Sequence, residues 1–189
     1  MSINLNVTPE NLEILTPGDR FPCTIGPLLR RSKWKGGTWV RYVPDVNSTD
    51  SFTVERSDGI HTCGFLIYGS EDYDNARIST YRNYTSYQNT SPIANDLGTA
   101  TLTLVAGGGR FLFKQFETQA LDAQGNRAGG AITYNLNDEL KVSENGLLCN
   151  DEDARLLLAT GGAKTLIIGT CCLVPTEANG LKLGLDYKF

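Results

Sequence analysis

Histidine is nearly missing from this chain of 189 residues, which holds one, His61, together with one methionine and two tryptophans. A single side chain titrating near neutrality leaves general acid–base chemistry little to draw on. Zinc takes about four Cys or His ligands at short paired spacings, and the sequence offers neither the histidines nor a C-x-x-C pair. The five cysteines, Cys23, Cys63, Cys149, Cys171 and Cys172, are odd in number. They read as free, mostly buried thiols of a reducing compartment. No apolar stretch approaches the roughly 20 residues of a membrane span. The segment Met1-Ser2-Ile3-Asn4-Leu5-Asn6 lacks a basic region followed by an apolar one, so synthesis and retention in a cytoplasm are expected. A net charge of −4 argues against a dedicated nucleic-acid binder. No cofactor motif is present either. Gly107-Gly108-Gly109 is followed by arginine, but it matches neither phosphate-binding glycine pattern and joins two strands, where those motifs lead into a helix.

Short runs of β-branched and aromatic residues fill most of the chain, punctuated by Gly, Asn and Pro. The strand candidates are Thr38 to Val43, Ser51 to Arg56, Ile60 to Tyr68 after an Asp58-Gly59 turn, Thr99 to Val105, and Arg110 to Phe116 after a Gly107–Gly109 hairpin. Ile132 to Tyr134, Glu139 to Val142 and Thr165 to Val174 continue the series, and Asp151 to Leu158 suits one or two helical turns. Leu181, Leu183, Leu185, Tyr187 and Phe189 alternate with polar or small residues, which predicts a terminal strand docked into a sheet. His61 falls in the alternation of Ile60 to Phe65, so a strand position is expected for it. The fold class is therefore all-β, a β-barrel or β-sandwich of short antiparallel strands.

Two segments break the rhythm. Residues 1–36 hold four of the seven prolines, Pro9, Pro17, Pro22 and Pro27, and read as an extended arm ahead of a single β domain at 37–189. The arm ends in a basic run, Arg30, Arg31, Lys33 and Lys35, that also carries Trp34. Residues 71–96 form a long polar excursion with Tyr73, Tyr81, Tyr84, Tyr87, Arg77 and Arg82. Loops of that length are usually functional or disordered, and tyrosine with arginine anchors interfaces. No nucleophile–base–acid series and no carboxylate pair can be placed. Expected catalytic and metal-ligating residues are none.

Four segments in order, Asp58-Gly59-Ile60, then Gly107 to Lys114, then Leu140 to Leu148, then Gly180 to Phe189, resemble the capsid cement or decoration proteins of tailed bacteriophages. The resemblance spans about the last two thirds of the chain. It implies a β-barrel or sandwich, a homotrimer, and binding across subunits of the major capsid protein on the outer surface of the virion. The role expected is non-enzymatic, and the charge and the lack of an apolar span lead to no nucleic acid and no membrane being expected as partner. The contact residues expected are Arg30, Arg31, Lys33, Trp34, Lys35, Tyr81, Arg82, Tyr84 and Tyr87. The alternative is a carbohydrate-binding β-sandwich for host attachment, in which Trp34, Trp39 and the tyrosines would stack on sugars.

Overall fold

The computed structural model describes residues 11–26, 28–29, 32, 34–44, 53–70, 102–121, 126–150 and 166–188. Among them are eleven strands in two layers. The first layer is a six-stranded sheet in the order β1 (Leu12–Thr16), β7 (Arg110–Phe113), β11 (Leu183–Tyr187), β10 (Gly169–Leu173), β8 (Glu139–Val142), β9 (Leu148–Cys149). The second is a closed barrel in the order β2 (Asp19–Ile25), β4 (Thr53–Arg56), β3 (Trp39–Val43), β5 (Gly64–Leu66), β6 (Leu102–Gly107). Pairing is antiparallel throughout except between β2 and β4, which run parallel. The protein is all-β, with both barrel and sandwich character.

Alternation along the barrel strands builds two cores at once. Val40, Leu66 and Leu104 pack inside the barrel with Cys23, Ile25, Leu29, Trp34 and Val54. Their neighbours Trp39, Phe65 and Val105 point the other way and join Leu12, Phe111, Phe113, Leu140, Leu183, Leu185 and Tyr187 of the sheet. Aromatic rings seal this junction. Phe65 meets Phe111 and Phe113 edge-on at 4.9 and 5.1 Å, and Trp39 meets Tyr187 edge-on at 5.3 Å. Such pairs contribute about 0.5–1.5 kcal/mol beyond the area they bury.

The boundary drawn at residue 36 does not hold for residues 12–25, which are strands of both layers. Leu12 to Thr16 pair with Phe113 to Arg110, and Asp19 to Cys23 pair with Gly107 to Leu102, in nearly continuous register. The two stretches form one long antiparallel ribbon that bends from the sheet into the barrel. At the bend a Cβ on Gly18 would lie 2.4 Å from the Gly107 carbonyl oxygen, and Gly109 holds φ at +87°, so neither position admits a side chain without strain. Gly107-Gly108-Gly109 is thus a corner between layers and not a hairpin, since β6 and β7 pair with other strands. Pro22 fits inside β2 because β4 joins the opposite edge only from Thr24 onward, so at Pro22 no N–H is needed there.

Two smaller expectations also change. His61 is in a turn and not a strand, because the Asp58 carboxylate accepts the backbone N–H groups of Ile60 and His61 and bends the chain. Leu181 is 56% exposed and precedes β11. Asn179 Oδ1 accepts the Lys182 N–H, so the preceding turn extends that far. Asp151 to Leu158, Phe189 and the body of the 71–96 excursion lie outside the described residues.

Candidate interaction surface at one end of the barrel

The strand directions decide where the two irregular segments leave the barrel. β2 and β5 both run antiparallel to β6, and β3 runs antiparallel to β5. The C-terminal ends of β2 and β5 and the N-terminal ends of β3 and β6 therefore share one end of the barrel. Residues 26–38 and 67–101 both emerge there.

The first of these segments is fastened at both sides of its basic run. Glu55 on β4 is buried, and its Oε1 and Oε2 accept the N–H groups of Leu28 and Leu29 at 2.8 and 2.6 Å. These are charge-assisted bonds to the start of a helical turn, the strong kind. Gly26 makes room for this, since a Cβ there would sit 2.1 Å from Glu55 Oε1. Leu29 then enters the barrel core, Ser32 donates to the Leu29 carbonyl through N–H and hydroxyl, and Leu28 and Ser32 face solvent. On the far side Trp34 is only 2% exposed, and its Nε1–H donates to the Tyr68 carbonyl at 3.1 Å. Trp34 is thus a core residue and not a surface contact, because closing the barrel end buries its ring. Lys35, next to it, is exposed.

The root of the Tyr-rich excursion rests on this same tract. Ser70 donates both its N–H and its hydroxyl to the Trp34 carbonyl, at 2.9 and 3.1 Å. A Cβ on Gly69 would lie 2.7 Å from the Lys35 Cα, so the two chains touch backbone to backbone. The returning end is close too, with the Ile67 N–H donating to the Thr103 carbonyl. Arg30, Arg31, Lys33, Tyr81, Arg82, Tyr84 and Tyr87 lie outside the described residues, but the fixed points on either side of them converge. Glu55, Gly26 and Ser70 went unnoticed in the sequence. Glu55 reads as an ordinary polar position in an alternating strand, and only the strand pairing reveals what it holds.

Elsewhere among the described residues, several polar groups make contacts that hold turns and loops. Asp58 Oδ2 takes His61 Nδ1 at 3.0 Å and Arg41 at 3.6 Å. Burial tends to raise the Asp58 carboxyl, but hydrogen bonds from His61 and Ile60 and the Arg41 charge outweigh it and hold it below the usual range. The His61 side chain is 71% exposed, and the contact it makes is with a turn carboxylate. Cys63 donates to the Val40 carbonyl, and burial pushes its thiol up to about 12. Glu117, 1% exposed, accepts from Ser143, Asn145 and Arg127, each at 2.8 Å, and ties two loops together. Among the described residues no group of three His, Cys, Asp or Glu side chains is arranged to hold a metal ion. Trp39, at the junction of the layers, is as buried as Trp34. Neither tryptophan offers a face to a sugar, which removes the strongest stacking residues from the carbohydrate reading. No protein-family model matches the chain, and no curated protein matches it.

Proposed function

We propose that the protein is a non-enzymatic structural component of a tailed-phage head, a homotrimeric cement or decoration protein that binds across neighbouring major capsid subunits on the outer surface of the shell. What supports this reading most is the convergence at one barrel end. The basic run and the Tyr-rich excursion, distant in sequence, are rooted against each other through Trp34 and Ser70. A rigid two-layer body behind them lowers the ordering cost of docking. The basic run would meet acidic patches of the shell, and the tyrosines would fill pockets between subunits. Three such contacts on a repeating lattice gain avidity on the order of 10² to 10⁴ over each alone.

The reading is tested by cryo-EM reconstruction of heads assembled with and without the protein. Trimeric density over subunit junctions is expected in the first only, and its absence from the head surface would remove the proposal. Replacement of Arg30 and Arg31 by Glu is expected to release the protein from purified heads at lower salt, since attraction between exposed charges weakens as added salt shortens the screening length from about 10 Å at 0.1 M to about 3 Å at 1 M. Unchanged release would remove the basic run from the account.

A further inference from the structure

Leu28 is the most exposed large apolar side chain among the described residues, at 71%. A single leucine in water is ordinary on a protein surface. What distinguishes this one is the backbone that carries it. The Gly26 N–H donates to the Val54 carbonyl at 2.8 Å, the Glu55 carboxylate takes the N–H groups of Leu28 and Leu29, and Ser32 closes the turn onto the Leu29 carbonyl. Leu29 is buried and fills the barrel core. The same clamp thus buries one leucine and stands its neighbour in solvent. Holding the turn requires only the Leu28 N–H, which any residue but proline supplies, so an apolar side chain there adds nothing to the clamp.

The tract that carries Leu28 is basic. Residues 26–36 contain Arg30, Arg31, Lys33 and Lys35 and no acid, in a chain whose net charge is −4. An apolar group on such a tract is complementary to an apolar socket rimmed by Asp and Glu. A second copy offering the same tract would bring like charge against it. An anionic bilayer would favour the charge, but it takes a broad apolar face, and here Leu29 and Trp34 are both turned into the core. The leucine left in solvent suits a socket in a folded protein.

We infer that Leu28 is the apolar anchor of this barrel end, seated in an acid-rimmed socket on the major capsid protein. The inference rests on the shell role proposed above and adds its point of attachment. Because the clamp fixes the backbone in the free chain, docking costs Leu28 only its side-chain freedom. Burial of a leucine then tightens each contact roughly 10-fold. Charge attraction fades with salt, whereas burial of apolar surface does not.

The full chain is prepared with a benzophenone amino acid at Leu28, bound to heads assembled without it, irradiated and digested. Adducts on major capsid peptides that contain Asp or Glu are expected. Adducts confined to other copies of this chain would overturn the inference, as would co-sedimentation with phosphatidylglycerol vesicles that Leu28→Ser abolishes. In parallel, Leu28→Ser is expected to keep the urea midpoint and to bind the same heads roughly 10-fold more weakly, at about 0.1 M and about 1 M salt alike. Leu136→Ser, at another exposed leucine, is expected to bind as the parent does. Equal binding of Leu28→Ser would remove the anchor and leave the shell role standing, whereas failure of the unaltered chain to bind heads would remove both.

Discussion

Cys23 lies inside the barrel, where burial and the neighbouring Cys63 push its thiol up to about 12. At pH 8 only about one such thiol in 10⁴ is ionised, and the thiolate is the nucleophile. Iodoacetamide at pH 8 is therefore expected to modify Cys23 at least 100-fold more slowly in the folded chain than in urea, as followed by peptide mass spectrometry. Equal rates would place the thiol in water. The sign for stability follows from the same shift. A folded value raised above the unfolded thiol's, about 8.5, gives a contribution that is complete below that pH and disappears as pH climbs towards 12. The five scattered cysteines made inert, buried thiols legible in advance, and Cys23, Cys149 and Cys171 are buried. Glu117 was not legible. A lone acid in Lys114-Gln115-Phe116-Glu117-Thr118 looks solvated, and its three donors come from residues 10 to 28 positions away.

At the scale of elements, the Glu55 clamp has a measurable consequence. Replacing Glu55 with Ala leaves the N–H groups of Leu28 and Leu29 without their carboxylate, a loss of about 1.5–3 kcal/mol for bonds to a charged group. Trypsin, which cuts after Arg30, Arg31, Lys33 and Lys35, is then expected to cleave there several-fold faster while the rest of the chain stays resistant. Gly26→Ala should act in the same direction by displacing the Glu55 side chain. Unchanged cleavage in both variants would mean that the clamp does not hold the segment. The strands at 39–43, 53–56, 102–107 and 139–142 were readable from composition and turns because alternation reports a strand directly. Their partners were not, since period two says which face is buried and nothing about which strand lies alongside. That is why the Gly107–Gly109 corner looks like a hairpin in sequence. It is also why the prolines at 17 and 22 suggest an arm, when one sits at the corner beside Gly18 and the other at an edge position of β2.

For the whole molecule, β11 is an interior strand between β7 and β10, and its last residue, Tyr187, sends its hydroxyl to the Ala106 carbonyl of the barrel. Its ring packs on Trp39 and Phe65 across the junction of the layers. Tyr187→Ala is expected to cost about 3–5 kcal/mol, the usual range for removing a large aromatic side chain from a core. A shift of the urea midpoint would record this at concentrations where only monomer is present. A loss confined to self-association would contradict the placement of Tyr187 in the chain's own core. The docked terminal strand was foreseeable from Leu183, Leu185 and Tyr187. That its tyrosine would join two layers was not, because Trp39 and Phe65 also looked like members of ordinary half-buried strands.

The ribbon of residues 12–25 and 102–113 has a mechanical consequence. Its two strands terminate, at Ile25 and Leu102, beside the barrel end from which the basic and Tyr-rich segments depart. A pull on either segment along the barrel axis loads β2 or β6 lengthwise. Neighbouring strands must then slide past one another, so the hydrogen bonds of a ladder carry the force together and must fail together. A grip applied at that end would be transmitted through the Gly18 corner into the six-stranded sheet, and the attachment would resist shear far better than a loop tethered to a single strand that could be peeled away one bond at a time.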